Sequence, residues 1–281
     1  MEIEVPDSAS DAGEASARPR IGFSIPDRRS NRWHYRPMRR ILLSLLCPFA
    51  LLLASHSIAS PPSERVLVFT KTAGWRHDSI PVAVRTLQRL LAEQGMQSDH
   101  TEDAGRFSPD ALSRYRVVVF ANTTGDILTD QQQRALEAFV RAGGGFVGVH
   151  SAADTEHDWP WYGRLVGAYF KSHPRGLQAT RVQPEHEGKP HGAAWPIRDE
   201  IYNFHSNPRP DVRVVATVDE AMYEGGIMGA DHPITWCHAY DDGGRAWYTG
   251  LGHDIAVYDD ANFLDQLRRG LRYAANRSDE C

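Results

Sequence analysis

The chain is poor in cysteine. It has three cysteines in 281 residues, Cys47, Cys237 and Cys281, and no two of them form a C-x-x-C pair. Cys47 lies in an apolar segment near the N-terminus, which leaves two cysteines for the rest of the chain. Two cysteines are too few for a disulfide framework, so we expect the fold to depend on a hydrophobic core.

The chain also lacks a long apolar run and an excess of positive charge. Its main apolar stretch, residues 41–54, has 14 residues, whereas a membrane-spanning helix needs about 20. The formal net charge is -5, which argues against nucleic acid as a partner. We therefore expect neither nucleic-acid binding nor stable insertion in a membrane.

The N-terminal region has the pattern of an export signal. A basic start at Met38 precedes the apolar stretch, and small residues stand before a cleavage site after Ala59. We interpret 38–59 as a secretory signal peptide, with an uncleaved membrane anchor as the alternative. Residues 1–37 have no apolar periodicity and are interpreted as disordered or as a mis-assigned start. The mature chain would be periplasmic or secreted.

Beyond residue 63, short apolar strands alternate with amphipathic helices. We predict strands at 65–70, 97–102, 116–121, 146–149, 180–184, 212–218, 234–240 and 246–251. We predict helices at 80–94, 130–142, 159–170 and 263–275, a short helix after Ser108, and a loop at 185–196. This alternation is typical of a doubly wound sheet. We therefore predict one α/β domain over 63–276, with a mainly parallel sheet sandwiched by helices.

Ionisable residues follow several of the predicted strands. Because ligands bind beyond the carboxyl ends of such strands, we predict His150, Asp154 and His253 as catalytic residues. A cluster of imidazoles also suits a divalent metal such as zinc, and its candidate ligands are His77, His150, His173 and His253. Without a metal, the two catalytic histidines would act as general acid and base, with Asp154 fixing a tautomer.

Aromatic residues lie in or beside the same loops. We predict Trp75, Trp161 and Tyr202 as substrate-binding residues, because aromatic rings offer large apolar faces to a sugar. Glu200 is predicted as a further substrate-binding residue. Loop packing is the alternative for each ring. We predict that four other histidines are surface or packing residues: His186, His191, His205 and His238.

Six short segments occur in a fixed order along the chain. They are G-W-R-H-D-S-I at 74–80, G-V-H-S-A-A-D-T at 148–155, W-Y-G-R-L-V-G-A-Y-F at 161–170, D-E-I-Y-N-F at 199–204, M-G-A-D-H-P-I-T-W at 228–236 and G-G-R-A-W-Y-T-G-L-G-H at 243–253. In this order they resemble the ThuA-like (trehalose utilisation) family, over 65–276. The resemblance implies a flavodoxin-like fold, similar to that of class I glutamine amidotransferases, and a link to sugar metabolism.

The resemblance to amidotransferases also shows what this chain lacks. Those enzymes carry a nucleophilic cysteine on a sharp strand-to-helix elbow, where this chain has His150, and His253 stands near their catalytic histidine. Without that cysteine, thiol chemistry on glutamine is excluded. Ser151 is an alternative nucleophile, although it lacks the G-x-S-x-G frame that exposes such a serine.

Three functional hypotheses follow. The first is an exported enzyme of carbohydrate metabolism, a hydrolase or related acid-base enzyme that acts on a small saccharide, either a disaccharide or a modified glycoside. The alternative is a non-catalytic sugar-binding module with a degenerate amidotransferase-like site. A structural, partner-binding domain is a third hypothesis. The sequence gives no indication of the oligomeric state.

Overall fold

The computed structural model describes residues 64–240 and 243–281, which belong to one compact unit. The predicted signal peptide at 38–59 and the segment 1–37 lie outside these described residues. Within the described ranges, no helix has the length and apolar character that crossing a membrane requires.

The described residues form five α-helices and twelve β-strands. The helices are α1 (Ile80–Glu93), α2 (Pro109–Leu112), α3 (Asp130–Arg141), α4 (Pro160–Val166) and α5 (Ala261–Ala274). The strands are β1 (Arg65–Phe69), β2 (Gln97–Thr101), β3 (Val117–Ala121), β4 (Gly145–Val149), β5 (Phe170–Ser172), β6 (Gln178–His186), β7 (Lys189–Pro190), β8 (Trp195–Asp199), β9 (Asn203–Phe204), β10 (Arg213–Val218), β11 (Pro233–Ala239) and β12 (Arg245–Thr249).

The centre of the sheet is parallel. Its strands lie in the order β2-β1-β3-β4-β12, and every neighbouring pair is parallel. All residues of β3 and β4 are buried, as expected for strands covered on both faces. The predicted doubly wound α/β fold is confirmed.

The helices cover opposite faces of the sheet. Trp236 of β11 lies beside Tyr248 of β12, and its indole N–H donates to the carbonyl of Val166 in α4. Trp247 points to the other face, because side chains alternate along a strand. There its ring lies against Gly270 of α5. The two tryptophans therefore mark the two helical layers.

An antiparallel extension continues the sheet beyond β12. The strands β11, β10, β6 and β7 follow in order, β8 pairs with β6, and β5 and β9 form a separate two-stranded sheet. The predicted loop at 185–196 is therefore wrong, because β6 runs to His186, β7 lies within this segment and β8 begins at Trp195. These strands are partly exposed, so they lack the apolar run by which a buried strand is recognised.

The predicted helix at 159–170 is shorter than expected. It ends at Val166 because Gly167 has a φ of +94°, a value that glycine adopts without strain. A Cβ at this position would also overlap the indole of Trp236. Strand β5 then begins at Phe170.

Cys237 and Cys281 form a disulfide. A single disulfide is not a framework, but this one links the C-terminal residues that follow α5 to strand β11. The guanidinium of Arg213 donates to both sulfur atoms, and Arg245 donates to the carbonyl of Ser278. The C-terminal segment is therefore fixed to the antiparallel part of the sheet.

Candidate metal centre at the carboxyl edge of the sheet

Three histidines meet where parallel strands end. His77 lies in the loop between β1 and α1, His150 directly follows β4, and His253 lies in the loop after β12. The ring centroids of these histidines are 4.8 to 5.2 Å apart. Since β1, β4 and β12 run in the same direction, their carboxyl ends share one edge of the sheet.

A carboxylate from the antiparallel extension joins them. Glu200 directly follows β8, and one donor atom from each of His77, His150, Glu200 and His253 lies within 4.8 Å of the others. We call these four residues the metal centre. His173, which the sequence suggested as a ligand, is not among these four. Glu200, which the sequence suggested as a substrate contact, is among them.

The spacing of the donor atoms fits a metal ion. The Nδ1 of His253 is 3.3 Å from the Nε2 of His150 and 3.1 Å from the Oε2 of Glu200. The third side of this triangle, from Nε2 to Oε2, is 3.4 Å. Ligands about 2.05 Å from a tetrahedral metal are separated by about 3.3 Å. The separations of three of the four donors are therefore compatible with a shared zinc ion.

The backbone fixes which nitrogen of His150 faces the centre. Its Nδ1 is 2.8 Å from the carbonyl oxygen of Gly250. Because a carbonyl only accepts, Nδ1 carries a proton, and Nε2 is the nitrogen that would bind an ion. His150 has a φ of +50°, a strained value for a residue with a Cβ. It thus occupies a sharp elbow after β4, as the comparison with amidotransferases implied.

His77 is kept neutral by its surroundings. Burial, together with the neighbouring His150 and His253, lowers its pKa from 6.5 to about 3. Its Nδ1 lies 3.3 Å from the buried hydroxyl of Ser151, which leaves Nε2 available to a ligand. A neutral imidazole is the form that binds metal.

Glu200 has the opposite charge preference. Burial alone would raise its pKa, but the hydrogen bonds and charges of His150 and His253 outweigh burial and hold the pKa well below its usual value. The same contact with Glu200 raises the pKa of His253, against the effect of burial. The centre therefore combines a stable carboxylate with imidazoles, and a bound cation would replace the proton that His253 shares with Glu200.

A second carboxylate, which the sequence analysis did not single out, shapes the loop of His253. Asp199 is fully buried, and its two oxygens accept the backbone N–H groups of Gly252 at 2.6 Å and Asp254 at 2.8 Å. These residues stand on either side of His253. The dipeptide Asp199-Glu200 therefore supplies both a ligand and the support of another ligand.

The carbonyl group of Gly252 is also held by hydrogen bonds. It accepts from the hydroxyl of Ser79, the amide of Asn122 and the hydroxyl of Tyr258, at distances of 3.1 Å. Only Asn122 could have been noticed in the sequence, as a polar residue directly after β3. The position of His253 thus depends on Ser79 and Asn122, which are far from it in sequence, as well as on the nearby Tyr258.

The structure does not bring Asp154 into the metal centre. Its carboxylate accepts from the Nε2 of His157 at 2.9 Å, and both side chains are partly exposed. His173 lies beside the centre instead of within it, with its Nδ1 3.2 Å from the Oε1 of Glu200.

The three aromatic candidates have different environments. Trp75, two residues before His77, has 73% of its surface exposed. Tyr202 is buried with its ring 4.2 Å from that of His150. Trp161 is buried too, stacked on Trp159 and in contact with Tyr240. Only Trp75 offers an open ring face.

The other histidines lie away from the centre. His186, His191 and His205 are exposed, and His238 is partly buried on β11. His232, which no sequence pattern singled out, is fully buried. Its Nε2 is 2.9 Å from the carbonyl oxygen of Tyr202, and its Nδ1 is 2.8 Å from Glu220.

Comparison with known proteins places the fold in a family. The family model for ThuA, described as trehalose utilisation, matches residues 65–274, and no curated protein matches the chain. A solved ThuA-like protein of Bacteroides uniformis is similar, with 23% identity and a TM-score of 0.64, covering 77% of this chain and 93% of that one. Another, from Parabacteroides merdae, has 20% identity and a TM-score of 0.61, covering 75% and 89%. At such identities these likenesses show a shared fold. The family match spans well over half of the chain, so the chain belongs to the ThuA family, a relationship that connects it with carbohydrate metabolism.

Proposed function

We propose that this protein is a metal-dependent enzyme of carbohydrate metabolism, with zinc or a similar divalent ion held by the metal centre. The observation that carries the proposal is the convergence of one donor atom from each of four residues within 4.8 Å. Imidazoles with a carboxylate suit zinc and related transition metals.

The proposed reaction is hydrolysis, or a related acid-base cleavage, of a disaccharide or modified glycoside. A bound divalent ion supplies a Lewis acid and lowers the pKa of a coordinated water. The chain's own residues hold the ion: His150 presents Nε2 because Nδ1 is committed to Gly250, and Glu200 contributes negative charge. The partly exposed His253 and His173 face the side from which a substrate would enter.

Trp75 supports a saccharide as the substrate. Its ring is exposed, yet its backbone is fixed, since the hydroxyl of Thr124 donates to its carbonyl at 2.9 Å. Ala73 also donates to the backbone of Thr124 at 2.8 Å. An exposed ring on a fixed backbone is suited to stacking on the apolar face of a sugar at small entropic cost.

Export is part of the same proposal. The pattern at 38–59 is typical of a cleavable signal, and the Cys237–Cys281 disulfide is of a kind that persists in oxidising compartments. N-terminal sequencing of the exported protein should find Ser60 as the first residue. A mature chain that retains residues 1–37 would contradict this part of the proposal.

Elemental analysis tests the metal. We expect close to one divalent ion per chain in the wild-type protein and in the exposed control His186→Ala. His150→Ala and Glu200→Gln should lose the ion. Absence of any ion from the wild type, even after supplementation, would overturn the metal centre, and turnover without metal would favour acid-base catalysis by the His253–Glu200 pair.

Activity on saccharides tests the reaction. The wild type and His186→Ala should cleave a disaccharide or a modified glycoside, and His150→Ala should not. Saccharide binding without turnover would favour the sugar-binding module, whereas neither binding nor turnover on any saccharide would favour a structural domain. A Trp75→Ala variant should bind the saccharide more weakly while keeping its metal.

A further inference from the structure

We infer that His173 is a positioning residue that restrains the Glu200 carboxylate, so that only Oε2 faces the histidine donors and a coordination position stays open to an incoming ligand. The inference rests on the proposed metal centre. It assigns His173 a role other than that of a ligand.

The hydrogen bonds of His173 define its tautomer. Its Nδ1 is 2.8 Å from the carbonyl oxygen of Pro174 and 3.2 Å from the Oε1 of Glu200. Because both partners accept, Nδ1 carries a hydrogen and shares it between them. The imidazole lies beside the packed rings of Phe170 and Tyr202, at centroid distances of 5.9 and 6.2 Å and with ring planes 29° and 26° from theirs. The direction of the N–H group is therefore fixed by both packing and hydrogen bonding.

The two oxygens of Glu200 have separate partners. Oε2 lies 3.1 Å from His253 and 3.4 Å from His150, whereas Oε1 lies against His173. A carboxylate can bind a metal through one oxygen or through both. Because Oε1 accepts the N–H of His173, it is not free to join Oε2 in binding the metal.

The contact between His173 and Oε1 of Glu200 lies where a ligand would approach the metal centre. The side chains of His173 and His253 are 38% and 29% exposed, compared with 10% for Glu200 and none for His150. Oε1 therefore lies on the solvent-facing side of the centre. Without His173, Oε1 would turn toward the ion and compete with the water or substrate oxygen, which would have to bind as a further ligand beside the four protein donors.

Cobalt(II) bound to the full-length protein provides a spectroscopic test. His173→Phe keeps an aromatic ring against Tyr202 but removes the N–H, and His173→Ala removes both. His173→Asn keeps an N–H donor near the position of Nδ1, and the exposed His205→Ala serves as control. Each variant is titrated with Co²⁺ and then with azide, and the visible absorption bands are recorded.

We expect Co²⁺ binding in every variant. The wild type, His205→Ala and His173→Asn should respond to azide, whereas His173→Phe and His173→Ala should show altered bands before azide and bind it at least about tenfold more weakly. Equal azide affinity and equal spectra in all variants would overturn the role of His173. Failure of the wild type to bind Co²⁺ would instead refute the proposed metal centre.

Discussion

At the scale of single residues, burial and neighbouring charges set the protonation of the metal centre. His77 has a pKa of about 3 because it is buried beside two further histidines. Glu200 has a depressed pKa because those histidines stabilise its charge more than burial opposes it. Both effects favour the forms that bind a cation, a neutral imidazole and an anionic carboxylate.

The buried His77 should make the metal-free protein acid-sensitive. Its pKa falls from 6.5 to about 3 on folding, so between these values the unfolded chain binds a proton that the folded protein excludes. The free energy of unfolding should be highest above pH 6.5 and decrease as the pH falls toward 3, by at most about 1.4 kcal/mol per pH unit from this group.

Urea unfolding from pH 4 to 7, with a chelator present, measures this effect. His77→Gln should have a flatter dependence on pH than the wild type, while the control His186→Gln should follow the wild type. Parallel curves for His77→Gln and the wild type would show that His77 is not the responsible group.

Asp199 should be required for the position of His253. In Asp199→Asn, the side-chain NH₂ would meet one of the two backbone N–H groups that the carboxylate now accepts. We expect a loss of about 1–3 kcal/mol in stability and weaker zinc binding, measured by thermal unfolding and by competition with a chelator. The exposed Asp211→Asn should change neither, and an unaffected zinc affinity in Asp199→Asn would contradict its role.

At the scale of elements, close contact between α5 and the sheet depends on glycine. Gly145 of β4 lies against the carbonyl of Ala274, and Gly270 lies against the ring of Trp247. A Cβ at either position would overlap its neighbour. These contacts bring the helix onto the two strands that lead into His150 and His253.

Gly270→Ala should therefore destabilise the protein, although alanine is the better helix former by about 1 kcal/mol. Displacing the indole of Trp247 should outweigh that gain and leave a net loss of about 1–2 kcal/mol. Denaturant unfolding measures the difference. Asn262→Ala, at an exposed position of the same helix, should be nearly neutral, and a stabilised Gly270→Ala would contradict the packing argument.

At the scale of the whole molecule, the metal centre joins two parts of the sheet. His77, His150 and His253 follow parallel strands, whereas Glu200 follows a strand of the antiparallel extension. An ion bound by all four would stabilise the association of these parts, since ligand binding to the folded state alone raises stability.

The disulfide should be a second source of stability for the extension. It closes a loop with a sequence separation of 44 residues, for which the chain-entropy argument gives about 4 kcal/mol. Cys281→Ser should lose stability of this order in denaturant unfolding, and the reduced wild type should behave like the variant. Equal stability of the oxidised wild type and Cys281→Ser would show that the bond contributes little.

The sequence predicted the parallel half of the fold well, because its buried strands are short apolar runs separated by amphipathic helices. It missed β7 and β8, whose exposed faces remove that signal, and also β5 and β9, which have only three and two residues. In the site, His150 and His253 stood out because each follows a strand. Asp199 did not, since its function depends on backbone groups that lie 53 and 55 residues away and that only the folded chain brings together.

The positive φ of His150 bears on how chemistry changes within this fold. The backbone of the elbow is held by its strand and by the groups around it, so the side chain at position 150 projects into the same place whatever its chemical type. A thiol there would serve nucleophilic attack, whereas an imidazole suits metal binding. The elbow therefore fixes where the side chain at position 150 points, and the residue type there decides the chemistry in which it can take part.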